Sequence, residues 1–240
     1  MTKQYNPQTR QLRQFSTTPH RCSYLPAMEA STLFIDPEAK IDKKTYSFLS
    51  ERGYRRSGNF LYKPDCLNCQ ACISLRIPVA EYQLSRSEKR ILRKNSDLSI
   101  FPVEHIFSEQ FYNLYDQYIC ARHYDGDMYP PSEEQYYNFL NNGFGTSEFM
   151  AFTQGSALKA VAVIDRLENG LSAIYTFYDP AEEKRSLGSF AILWQIEYAR
   201  QLGLDYVYLG YWVKNCAKMN YKTRFRPAEV LVNQRWMRLI

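Results

Sequence analysis

From residue 148 onward the chain runs through three β-rich stretches joined by tight turns and then into one long helix, a pattern with few structural solutions. Residues 148–154, 157–167 and 171–178 are strand-like, and Gly155-Ser156 and Asn169-Gly170 join them. Turn pairs of that composition fold consecutive strands back on one another. A helix is expected over 187–202, closed by Gly203 at the C′ position. A strand over 206–211, a short helix over 214–221 and a last strand over 229–237 complete the run. Three antiparallel strands, a helix, a strand, a helix and a final strand make an α/β layer built on a mixed sheet.

The first hundred residues read differently. Residues 1–30 are polar and irregular, with an ordered turn at Cys22-Ser23-Tyr24-Leu25-Pro26. A helix over 42–52 stops at Gly53, and a strand or hairpin over 54–63 bends at Gly58-Asn59. Alternation in 73–79 puts Ile73, Leu75, Ile77 and Val79 on one strand face and Arg76 on the other. A helix over 85–94, a strand over 96–105, a helix over 108–123 and a loop over 124–131 follow. Ser132 caps a short helix that is expected to end near Gly143. The fold class is α+β, with a small N-terminal α/β domain (residues 1–100) carrying a cysteine loop. A C-terminal mixed sheet with helices fills residues 101–240.

A chain of 240 residues, 45% hydrophobic and 15% aromatic, buries a substantial core. No stretch approaches the roughly 20 apolar residues that span a bilayer, and the opening MTKQYNPQTRQLRQF lacks the apolar run of a secretory signal. A soluble, cytoplasmic protein with no membrane partner is expected. In that reducing compartment the six cysteines read as metal ligands or packing residues before disulfides. Cys66-x-x-Cys69-x-x-Cys72 offers three thiols from one loop, and Cys22 offers a fourth. This soft donor set suits zinc or an iron–sulfur cluster, and a reduced, metal-free turn is the alternative. Cys120 and Cys216 have no such grouping and are expected to pack.

The formal net charge is +5, and its location says more than its size. In residues 85–94, Arg86, Lys89, Arg90, Arg93 and Lys94 are opposed by Glu88 alone, a local charge of +4. Spacings of three and four align the five cations along one helix stripe, about 12 Å long at about 1.5 Å per residue. Such a stripe follows a few nucleic-acid phosphates, or else is a plain solvated face.

A third segment runs from Ile174-Tyr175-Thr176-Phe177-Tyr178-Asp179-Pro180 to Lys184-Arg185-Ser186-Leu187-Gly188-Ser189. A strand, a loop and a helix start present free backbone N–H groups and the positive end of a helix, a ready phosphate site. Arg185-x-x-Gly188 resembles the pyrophosphate loop of the GCN5-related N-acetyltransferase fold, although Phe190 stands where a second small residue is usual. The order of strands and helices around it is that fold's order.

Together these segments resemble the aminoacyl-tRNA–protein transferases, in particular the short bacterial members that add leucine to N-terminal Asp or Glu. The resemblance rests on Cys22-Ser-Tyr-Leu-Pro, Gly53-Tyr-Arg-Arg-Ser-Gly, the Tyr62–Cys72 run and Ser85-Arg-Ser-Glu-Lys-Arg. It continues through Arg122-His-Tyr-Asp-Gly-Asp-Met, Tyr175-Thr-Phe-Tyr-Asp-Pro, Arg185-Ser-Leu-Gly, Tyr208-Leu-Gly-Tyr-Trp and Met219-Asn-Tyr-Lys-Thr-Arg-Phe-Arg-Pro. It implies transfer from Leu-tRNA to proteins beginning with Asp or Glu, in the service of proteolysis. Relatives that transfer arginine share most of these segments.

The reaction exchanges an ester for an amide and requires no cofactor. The acceptor α-amine, with an ordinary pKa of about 8, has a useful neutral fraction at cellular pH. Asp179 and Asp125 are candidates to accept its proton, or else form turns. A guanidinium would read the acceptor carboxylate, with Arg76 the first choice and Arg55, Arg56 and Arg185 behind it. Arg185 and Gly188 join the five helix cations as tRNA contacts. Tyr175, Tyr178, Tyr208, Tyr211 and Trp212 are candidates to line the aminoacyl pocket. Two competing readings are an acetyl-CoA-dependent acetyltransferase and a metal-dependent RNA-binding protein without catalysis.

Overall fold

The computed structural model describes residues 12–141 and 144–240. The N-terminal part holds β1 (Gln14–Ser16), β2 (His20–Arg21), β3 (Glu29–Ala30), β4 (Thr32–Ile35), α1 (Lys43–Glu51), β5 (Arg55–Ser57), β6 (Phe60–Pro64) and β7 (Cys72–Pro78). Next come α2 (Arg86–Lys94), β8 (Ser99–Val103), α3 (Glu109–Arg122) and α4 (Glu133–Leu140). The remainder is β9 (Ser147–Gln154), β10 (Ala157–Arg166), β11 (Gly170–Tyr178), α5 (Leu187–Gln201), β12 (Tyr206–Val213), β13 (Glu229–Val232) and β14 (Arg235–Arg238). Two 3-10 turns, Glu183–Arg185 and Ala217–Arg224, flank α5 and follow β12.

The helix boundaries follow their caps. Asp42 accepts the Thr45 N–H at the start of α1, and Gly53 closes it at φ 88°. Ser85 and Glu88 form a reciprocal capping box on α2, and the Ser132 hydroxyl accepts the Gln135 N–H on α4. The expected end of that helix near Gly143 lies outside the described residues. No helix among the described residues is long and apolar enough to cross a membrane.

Eight strands form the main sheet in the order β14-β13-β7-β12-β11-β10-β9-β8. All adjacent strands are antiparallel except β11 and β12, which α5 connects. β7 sits between β13 and β12, so the sheet runs across the sequence boundary expected near residue 100. Its alternation is realised: Leu75, Ile77 and Val79 are buried in one core, with Ile73 packed against it. α2 and α5 cover that face. α3 and α4 cover the opposite face over β9–β11, and α1 with a four-stranded sheet, β1-β4-β6-β5, covers it over β7 and β12.

Two expectations are corrected. Residues 1–30, read as irregular, contain β1, β2 and β3 in their described part, and β4 follows at once; strands of two to four residues are too short to show a period. The single strand expected over 229–237 is a hairpin, because Asn233 and Gln234 take positive φ of 49° and 61°. That turn lacks the glycine that usually announces it.

Candidate active site

The parallel pair β11–β12 opens the molecule. The strands pair only from Gly170–Ser172 to Tyr206–Tyr208 and then part. The pinch depends on Gly170, since a Cβ there would lie 2.5 Å from the Tyr206 carbonyl oxygen. Ends of parallel strands flanking a crossover helix are where open α/β sheets bind ligands. At this mouth Tyr178 lies across Gly188, whose added Cβ would meet the ring at 3.1 Å. Ser186 turns the chain into α5 with φ 57°. The first-turn amides of α5 have no partner within the helix and point outward as donors.

The five aromatic residues expected to line an aminoacyl pocket divide into groups. Tyr175 packs with Phe139 and Tyr118 at ring distances of 5.1 and 6.2 Å, and Tyr178 lies 4.8 Å from Tyr118. Trp212 packs against the core on the α5 face. Tyr208 and Tyr211 share the opposite face although they are three apart. A bulge between Tyr208 and Gly210, where Gly210 takes φ 78°, shifts the alternation. The Tyr211 hydroxyl donates to the Gly53 carbonyl at 2.6 Å.

The basic helix is as drawn from the sequence. Arg86, Lys89, Arg90, Arg93 and Lys94 are all exposed on α2. Among the described residues none of them has an ion-pair partner. Buried Asn95 ties the end of α2 to the loop before α5 by donating to the Arg185 carbonyl at 2.9 Å. Arg185 itself is not a free fork: Nη1 and Nη2 each donate to Asp97 at 2.8 Å, and Nε donates to Glu182 at 3.1 Å. Two carboxylates therefore compensate the charge offered to tRNA or acceptor at this position.

The arginines proposed for the acceptor differ in the same way. Arg76 donates from Nε to Glu229 at 2.8 Å and is sandwiched between Tyr206 and Trp236, 3.5 and 4.2 Å from the ring centroids. Arg56 is wholly buried and makes a side-on pair with Asp165, Nε to Oδ2 at 2.6 Å and Nη2 to Oδ1 at 3.1 Å. Both guanidiniums therefore already hold a carboxylate of this chain. Arg55 is 5% exposed, and its Nη1 donates to the Ser50 and Tyr54 carbonyls. Its Nε and Nη2 are buried with no hydrogen-bond partner among the described residues.

The two candidate bases are also engaged. Asp179 accepts the Ala181 N–H on one oxygen and Lys159 on the other, at 3.0 and 3.1 Å, as a turn-forming aspartate does. Asp125 pairs with Lys218 at 2.6 Å, which holds its carboxyl below the usual range and weakens it as a base.

Cys22, Cys66, Cys69 and Cys72 are free thiols near one another, joined by Cys216. Burial first, then these neighbours, push the Cys72 thiol up to about 12. The Cys22 sulfur accepts the Leu25 N–H, and Cys66 donates to the Ser31 carbonyl. The donor chemistry suits a soft metal, but no three ligands among the described residues are grouped around a common point.

Reasoning from sequence passed over Lys222, which lies in the 3-10 turn after β12. Its Nζ donates to the Tyr211 carbonyl at 2.6 Å, and burial followed by the nearby Arg55 charge lowers its pKa to about 7. Tyr221, beside it, lies close to Tyr118, Tyr175 and Tyr178. This turn therefore links the two tyrosine groups. The only signal for it was the run Met219–Pro227, taken as a whole.

Two family descriptions match the chain: "Arginine-tRNA-protein transferase, N terminus" over residues 20–90 and "Arginine-tRNA-protein transferase, C terminus" over 110–232. An aspartate/glutamate leucyltransferase of Stutzerimonas stutzeri (strain A1501) is 58% identical, with 95% of this chain and 97% of that protein aligned. One of Pseudomonas fluorescens (strain Pf0-1) is 56% identical, over 94% and 96% respectively. Among solved structures, L-PGS from Bacillus licheniformis shares the fold at a TM-score of 0.50 and 8% identity, covering 71% of this chain and 59% of that one.

Proposed function

The chain belongs to the arginine-tRNA-protein transferase family, and from that premise we propose that it transfers leucine from Leu-tRNA to the N-terminal Asp or Glu of acceptor proteins. It is an aminoacyltransferase. The observation that carries the choice of leucine is the near-full-length identity to relatives named for that transfer. Because charged tRNA is the donor, the reading places the enzyme in the cytoplasm.

The acceptor α-amine attacks the aminoacyl ester carbonyl. A C–N bond forms, the ester C–O bond breaks, and the tRNA 3′ oxygen leaves with a proton. An amine of pKa about 8 needs little help in losing its proton, so holding amine and ester in line supplies much of the rate. In this reading the aminoacyl end enters the gap between β11 and β12 against Tyr175 and Tyr178, a reading supported by the parting of the two strands and the contact of Tyr178 with Gly188. The unpaired cations of α2 lie on the α5 face, where they can follow the phosphates of the incoming tRNA.

The test offers Leu-tRNA, Arg-tRNA and acetyl-CoA in turn with peptides beginning with Asp, Glu, Lys or Arg. Leucine should reach the Asp and Glu peptides alone. Arginine transfer to the same peptides would replace the donor, and acetyl transfer would end the reading. Charge reversal at both Arg90 and Arg93 should weaken Leu-tRNA binding and flatten its log–log salt slope by about 1.4, at roughly 0.7 per lost phosphate contact. Filter binding across salt concentrations measures this, and an unchanged slope removes α2 from the interface.

A further inference from the structure

We propose that Arg55 and Lys222 together form the site that reads the acidic side chain of the acceptor's first residue, a proposal that rests on the transferase reading above. The two cations lie against Tyr211. The Arg55 guanidinium is 5.8 Å from the Tyr211 ring and 5.4 Å from the Tyr208 ring, and Lys222 Nζ donates to the Tyr211 carbonyl. Neither has a carboxylate partner among the described residues. A buried guanidinium without an anion is costly, and native proteins pair such groups.

The unpaired edge of Arg55 has a specific shape. Arg55 uses Nη1 on two backbone carbonyls and leaves Nε and Nη2 without acceptors among the described residues. Those two atoms are the side-on fork of a guanidinium, which takes both oxygens of a carboxylate. The next residue shows the same edge filled, since Arg56 holds Asp165 through Nε and Nη2. An Asp or Glu side chain would complete Arg55 in that manner, and Lys222, held on the Tyr211 carbonyl close enough to feel the Arg55 charge, would add a second cation beside it.

A carboxylate on a short side chain fits this place better than an RNA phosphate. The unfilled nitrogens are buried, whereas a phosphodiester carries two bulky ester arms. The site also lies on the sheet face with Tyr208, opposite the face covered by α2. The peptide then meets the donor where β11 and β12 part.

The experiment measures leucine transfer from Leu-tRNA to a peptide beginning with Asp and the residual transfer to its Asn counterpart, together with calorimetric binding of both peptides to enzyme without tRNA. Lys222→Met should raise KM for the Asp peptide about 30-fold or more, the effect of removing one partner of a buried charge pair. The Asn peptide and KM for Leu-tRNA should change little, and Lys222→Arg should restore much of the Asp preference. Arg55→Met should act in the same direction, with a thermal melt to confirm folding. Equal effects on Asp and Asn peptides overturn the proposal. So does weaker Leu-tRNA binding with the Asp preference intact, which would assign the site to a phosphate. If wild-type enzyme transfers no leucine, the parent reading fails, and loss of Asp-peptide binding in Lys222→Met still supports this site.

Discussion

Replacing Asp165 by alanine should destabilise the protein by about 3–5 kcal/mol, the usual cost of leaving one partner of a buried ion pair uncompensated. Asp165 and Arg56 have fully buried side chains. The carboxylate also accepts from the Tyr46 hydroxyl at 2.7 Å and from Ser147. Without it the Arg56 charge keeps only neutral acceptors, the Gly58 and Asn141 carbonyls and the Ser147 hydroxyl. For a chain of this size the melting temperature should fall by about 10 °C. The pair joins β5 of the small sheet to β10 of the large one, so the change loosens the contact between the two sheets. A double variant, Arg56→Met with Asp165→Leu, should recover much of the loss, because it removes the uncompensated charge as well as the pair. A double variant no more stable than Asp165→Ala would show that packing, not charge, sets the cost.

The same pair shows where sequence reasoning stops. Arg55 and Arg56 are neighbours on one short strand and equally plausible readers of a carboxylate. Which one is already occupied depends on Asp165, more than a hundred residues away, and no local pattern carries that. Arg76 was placed correctly on the polar face of its strand by alternation, but its partner Glu229 arrives through the β13–β7 pairing. Local signals did find what local physics determines: Ser132, Gly53 and the Asn169-Gly170 turn all mark the ends they seemed to mark in the sequence. The cationic stripe on α2 was equally legible, because exposure of five charges needs no distant partner. Lys222 was not, because its importance comes from the absence of an anion, which only a three-dimensional arrangement reveals.

That absence has a thermodynamic consequence of its own: below about pH 9 the unliganded protein should be less stable than its Lys222→Met variant. The Lys222 pKa falls from an ordinary 10.5 to about 7 on folding, through burial and then Arg55, with a small opposing effect of Cys216. Below pH 7 both folded and unfolded chains hold the proton, and the folded state bears the full cost of the desolvated cation. Between about 7 and 10.5 the unfolded chain binds more protons, so stability rises with pH, and above that window the cost is gone. Solvent reaching the half-buried side chain reduces the effect to about 2–3 kcal/mol. Thermal melts of both proteins at pH 6.5 and pH 9.5 should therefore show the variant ahead at the lower pH, with the gap narrowing at the higher. A gap that widens with pH would mean that the lysine is stabilised as a cation by a partner. An Asp-initiated peptide should narrow the gap at pH 6.5 by stabilising the wild type more than the variant, since its carboxylate supplies the charge that Arg55 and Lys222 lack. The free energy relieved there is free energy available for choosing an acidic first residue over a neutral one.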